Sequence, residues 1–66
     1  MKEGWVAMDK NGKWWWFPLK PYPYMTSYEW LFRSSDEDKE AIFISGVVDI
    51  ASVNDWTESL IKVGGK

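Results

Sequence analysis

Ten carboxylates and eight Lys and Arg side chains, with no histidine and no cysteine, set the chemical limits of this 66-residue chain. Without imidazole the usual general base is missing. Without thiols there is no cysteine nucleophile, no disulfide and no zinc site built on His and Cys. The carboxylates concentrate at Asp36, Glu37, Asp38 and Glu40. Such a run reads as a metal loop, as a phosphate mimic shown to a basic partner, or, most simply, as a solvated loop that keeps an edge strand soluble. The four are therefore kept as candidates for contact with a basic partner. Glu29, Asp49 and Glu58 have no spacing that argues for a catalytic pair. Asp9-Lys10-Asn11-Gly12 follows the opening of a calcium loop, but the third ligand before the glycine and the later glutamate are absent, so it reads as a turn. No phosphate-binding glycine loop, nucleophile elbow or serine with a suitable base is found. The expectation is a protein that is not an enzyme, with no metal or cofactor.

What remains is the chemistry of rings. There are six tryptophans, three of them consecutive at Trp14, Trp15 and Trp16. Aromatic faces stack nucleobases, sugars or peptide groups without a sequence-specific hydrogen bond. They also make cores, which is the simpler reading for Trp5, Trp30 and Trp56. Neighbouring side chains on a strand point to opposite faces, so the triplet puts a large ring on both sides of one strand. A chain of this length has little material to cover both. At least one of the three is expected at an interface, a ligand site or a partly exposed patch. Trp15 is the choice, because its small cross-strand partner, Ala7, leaves room for docking. Tyr22 and Tyr24, interleaved with prolines, join the triplet as candidates.

The elements that position these rings read as follows. Two apolar runs, Trp5-Val6-Ala7-Met8 and Trp14-Trp15-Trp16-Phe17, flank a turn containing Asn11-Gly12, the strongest short hairpin signal. With Gly12 left-handed in a type I turn plus bulge, Met8 faces Trp14, Ala7 faces Trp15, Val6 faces Trp16 and Trp5 faces Phe17. A tight two-residue turn would shift this by one. In the first register one face holds Val6, Met8, Trp14 and Trp16 and the other holds Trp5, Ala7, Trp15 and Phe17. Pro18, Pro21 and Pro23 then predict an exposed, polyproline-like arm. Tyr28, Trp30 and Phe32 alternate as in a strand with its aromatic face inward, with a short helix over 26–33 as the alternative. Residues 34–40 read as a loop in which Ser35 and Asp38 suit a capping box. Residues 41–50 read as the central strand, or two short ones around Gly46. Residues 52–55 offer caps for one or two helical turns over 56–61, or for a turn into a final strand at 60–63. The tail, 64–66, should fray.

These pieces make one small β domain spanning 1–66, an antiparallel sheet of four to five strands with at most one short helical turn. A domain of this size buries only about 60% of the surface its unfolded chain exposes, and with disulfides excluded, oligomerisation or dense aromatic packing must compensate. A homo-oligomer is expected. The formal charge of −2 and the scattered basic residues argue against duplex DNA. No apolar run approaches the roughly 20 residues of a membrane helix, and the first residues lack a charged stretch followed by an apolar signal core. The expected place is the cytoplasm, without membrane contact.

The segments Trp5-Val6-Ala7-Met8-Asp9-Lys10-Asn11-Gly12-Lys13-Trp14, Phe17 with Lys20-Pro21, and Asp55-Trp56-Thr57-Glu58-Ser59-Leu60-Ile61 resemble a group of short uncharacterised proteins of bacteriophages and prophages. They cover about a third of the chain. The resemblance carries no activity and no catalytic residues. It implies an accessory protein that works by binding host machinery, such as a defence system, in the host cytoplasm. Three expectations follow: a self-associating binder of a host protein, a binder of nucleotides or single-stranded nucleic acid that stacks bases on exposed tryptophans, and a structural subunit of a larger assembly.

Overall fold

The computed structural model describes residues 2–36, 38–45 and 55–64. Strand β1 (Gly4–Met8) and strand β2 (Trp14–Phe17) form an antiparallel hairpin with the register Trp5 to Phe17, Val6 to Trp16, Ala7 to Trp15 and Met8 to Trp14. This is the register set by a type I turn plus bulge. The Gly12 N–H donates to the Asp9 carbonyl at 2.9 Å, and Gly12 itself is left-handed at φ +87°. The Asn11 side chain accepts from the Lys13 N–H at 3.0 Å and braces the turn.

Four further strands complete the fold: β3 (Tyr22–Tyr24), β4 (Glu29–Leu31), β5 (Ile42–Phe43) and β6 (Ile61–Val63). They form a four-stranded sheet in the order β5-β2-β1-β6 and a two-stranded sheet β3-β4, antiparallel wherever strands pair. The protein is thus mainly β, as expected, with an antiparallel sheet of four strands and, beside it, two strands more among the described residues, of which β3 falls where no strand is expected. A single 3-10 turn, Trp56–Glu58, is the one helical piece among the described residues, and Asp55 caps it by accepting from the Thr57 N–H at 3.0 Å.

The additional strand comes from the proline segment. Tyr22–Tyr24 is not a free arm: it pairs with β4, Pro23 standing opposite Trp30. The Trp30 N–H is turned away from β3, donating instead to the Asp9 carboxylate, so the missing Pro23 donor falls on the outer side of an edge strand, where a ladder needs none. Tyr28 also departs from the alternation. It lies in the 25–28 loop at φ +60°, its N–H donating to the Tyr24 carbonyl at 2.8 Å, and its ring points to solvent. Residues 41–45 do not form the central strand, since β1 and β2 hold the centre and β5 is an edge; the expectation for 46–50 lies outside the described residues. In the 34–40 loop, Ser34 rather than Ser35 bonds the backbone, accepting from the Asp36 N–H at 3.0 Å, and Asp36 accepts from the Asp38 N–H at 2.9 Å. A serine two residues before the amide closes a tighter ring than a capping box would.

Both faces of the hairpin are covered. On one, Val6, Met8, Trp14 and Trp16 pack with Ile44, and Trp56 and Val63 close the side. On the other, Ala7 and Phe17 pack with Trp30, bordered by Trp5, Trp15, Phe32 and Leu60. Trp16 reaches its place because Gly4 has no side chain: a Cβ there would fall 2.6 Å from the Trp16 ring and 2.5 Å from the Phe17 carbonyl oxygen.

Side chains finish ladders that the backbone leaves short. The pairing of β1 with β6 stops at Val6 and Ile61, and the buried Ser59 hydroxyl takes the Met8 N–H at 2.7 Å while donating to the Trp56 carbonyl at 2.7 Å. At the other edge the Ser45 hydroxyl accepts from the Trp14 N–H at 2.6 Å. Each bond satisfies a backbone donor that would otherwise be left unpaired away from water.

Candidate functional site

Two hairpin ends meet at Asp9. The residue follows β1 directly, and its carboxylate accepts from the Trp30 N–H in β4 at 2.9 Å, standing where the carbonyl of a neighbouring strand would be. The Lys10 N–H donates to the Tyr28 carbonyl at 3.2 Å. The Trp30 indole donates back to the Met8 carbonyl at 3.0 Å and reaches the Trp56 carbonyl at 3.2 Å. Trp30 therefore ties the second hairpin, the first hairpin and the 3-10 turn at one point.

Around that point two depressions share Asp9 and Glu29. One, about 170 Å³, is lined by Trp15, Phe17, Trp30, Leu31 and Ala41 together with the two acids. The other, about 360 Å³, is lined by Lys10, Asn11, Ser27 and Tyr28 with the same two acids. They form a groove with an aromatic end and a polar end, and with carboxylates where the two join. Asp9 is only 8% exposed. Burial pushes its carboxyl above the ordinary range, the Trp30 N–H pulls it partly back, and the charge of Glu29 adds to the rise. Among the described residues the one ion pair is Lys62 with Glu3, so neither acid of the groove has a basic partner there. The Lys10 ammonium lies 4.2 Å from the centre of the Tyr28 ring instead.

The expected site residues are distributed unevenly. Trp14 and Trp16 are buried, each 6% exposed, and serve the core. Trp15 is half-buried opposite Ala7, lines the aromatic end of the groove and meets the exposed Phe43 ring edge-on at 5.2 Å. Tyr22 and Tyr24 share one side of β3 and are exposed; they stand opposite Leu31 and Glu29 of β4 but do not themselves line the groove. Asp36, Asp38 and Glu40 are exposed in their loop, and Glu37 lies outside the described residues. Among the described residues no three His, Cys, Asp or Glu side chains gather as metal ligands.

In the sequence Asp9 belongs to a turn and Glu29 is an isolated carboxylate. The hairpin register does put Asp9 at the end of β1, but no local pattern announces that β4 folds back beside it. No helix among the described residues is long and apolar enough to cross a membrane. Compared with family models, curated proteins and solved structures, the chain matches none.

Proposed function

We propose that this chain is a non-enzymatic binding module that docks a protein partner in the groove at the junction of its two hairpins, with Trp15 as the apolar anchor. The observation that carries the reading is Trp15 itself. Of the three consecutive rings it is the half-exposed one, and it borders a groove holding two carboxylates without an ion-pair partner among the described residues. An anchor ring beside polar groups is the anatomy of a binding hot spot. The resemblance to phage accessory proteins makes a host protein, including a component of a defence system, the expected partner. Self-association belongs to the same proposal through edge strand β5, where Ile42 and Phe43 are 54% and 45% exposed. Native mass spectrometry of untagged protein released gently from bacterial lysate tests it. The expected result is a retained protein partner or homo-oligomer whose mass is lost in a folded Trp15→Leu or Phe43→Ser variant; bare monomer throughout would overturn it.

A second reading, stacking of single-stranded nucleic acid or a nucleotide, is favoured by one observation. The Lys13 ammonium lies 5.9 Å from the centre of the Phe43 ring, which contacts Trp15, so a cation stands beside two adjacent rings. Salt-sensitive quenching of tryptophan fluorescence by a short oligonucleotide is its expected signature.

A further inference from the structure

We infer that the groove recognises a cationic side chain, an arginine or lysine presented by an extended segment of the partner. The inference rests on the docking reading above and specifies its ligand. The aromatic end offers Trp15, Phe17, Leu31 and Ala41, an apolar wall against which the methylenes of a long basic side chain can lie. Asp9 and Glu29 line both this end and the polar end, so a charged head group on a flexible stem that lies along the wall has carboxylates beside it. Ring faces favour a cation as well. The volume of about 170 Å³ suits one long side chain and not a second folded element.

Charge complementarity selects this occupant over others. The charge of Glu29 disfavours the ionised form of the buried Asp9, and among the described residues no lysine or arginine is ion-paired with either acid; Lys10, at the polar end, lies over the Tyr28 ring instead. A cation arriving from a partner relieves that repulsion. An anionic ligand meets the same carboxylates and is repelled. At the aromatic end a bare metal ion would find two carboxylate side chains and an apolar wall, and at the polar end it would meet the Lys10 ammonium, which disfavours a hard cation. The free groove therefore discriminates by pairing an apolar wall with negative charge, and a guanidinium on a three-carbon stem matches both parts.

The test uses the full chain and two blocked pentapeptides, acetyl-Ser-Leu-Arg-Leu-Ser-amide and its citrulline counterpart, which keeps the length and planarity of the side chain but has a carbonyl oxygen in place of one guanidinium NH2 and carries no charge. Backbone and indole N–H resonances report binding. The arginine peptide is expected to move the Trp15 indole and Glu29 signals and to bind at least about tenfold more tightly than the citrulline peptide. Glu29→Gln, a change on a half-buried side chain that leaves the Asp9 to Trp30 bond in place, is expected to erase that preference. Equal binding of both peptides at these signals, unaltered by Glu29→Gln, would overturn the cationic assignment while leaving the groove as a docking site. No shift at Trp15 or Glu29 with either peptide would overturn the assignment and the docking reading together.

Discussion

The two hairpins of this protein are built on opposite plans. The first, β1-β2, is assembled by local code: a left-handed glycine closes the turn, four cross-strand pairs follow, and both faces are covered by other parts of the chain. The second, β3-β4, carries a proline in one strand, a left-handed tyrosine in its loop, and three pairs in all. It holds its place through bonds to the first, above all Asp9 to the Trp30 backbone and the Trp30 indole to Met8. The lesson is that the stable hairpin serves as the platform and the dependent one as the wall that makes the groove. Binding sites sit naturally on such junctions, because the side chains that weld two elements must be polar and partly buried at once.

Removing the weld should break the contrast most severely. Trp30→Ala deletes a buried ring and two indole contacts, and losses of about 3–5 kcal/mol are usual for a buried tryptophan. A domain this small has stability of the same order, so urea unfolding should find the variant largely unfolded in water. Ser59→Ala tests the ladder of the first hairpin instead. It leaves the Met8 N–H without its 2.7 Å acceptor, and about 1–3 kcal/mol should be lost, read as a lower urea midpoint with unchanged slope.

Asp9 sharpens the comparison through pH. Its carboxyl is raised in the folded state, chiefly by burial, so the folded protein binds the proton more tightly than the unfolded chain. Its contribution is fully present below the unfolded value of 3.8 and is lost as pH rises through the folded value. Asp55 behaves oppositely. The Thr57 hydroxyl and N–H hold it below the ordinary range, so its contribution is present above 3.8 and lost as pH falls through the lowered value. Urea midpoints between pH 3 and 7 should therefore show a smaller decline with rising pH in Asp9→Asn than in the parent, since the amide oxygen still accepts from Trp30 without the cost of a buried charge. The absence of any difference would place Asp9 in water rather than at the weld.

Tyr28→Gly should have the smallest effect. A left-handed non-glycine residue costs about 1–2 kcal/mol, while an exposed cation-π contact such as that with Lys10 contributes about 0.5–1 kcal/mol. The two nearly cancel, and thermal unfolding should show a gain of no more than about 1 kcal/mol.

How far the sequence could be read follows the same division. Asn11-Gly12 and the alternation on either side are local; they point to the register with Gly12 left-handed, beside an alternative shifted by one, and to Trp15 as the ring to leave open, and the fold takes the first register with Trp15 half-buried. The β character of the whole was legible for the same reason; residues 52–55 offered caps either for helical turns over 56–61 or for a turn into a last strand, and the fold takes one 3-10 turn capped by Asp55 and then that strand. The proline segment misled because a missing donor forbids a central strand but not the outer side of an edge, and which side faces out is a matter of tertiary pairing. Tyr28 misled because a loop held by its own 24–28 hydrogen bond overrides alternation. The coverage of both hairpin faces, with Trp14 and Trp16 in the core, depends on residues up to 59 positions away along the chain, as between Gly4 and Val63. Asp9 and Glu29 became a pair only because β4 docks against the end of β1. Local periodicity and turn chemistry are written residue by residue; the meeting of two distant carboxylates beside one ring is a property of packing, and only the folded chain could decide it.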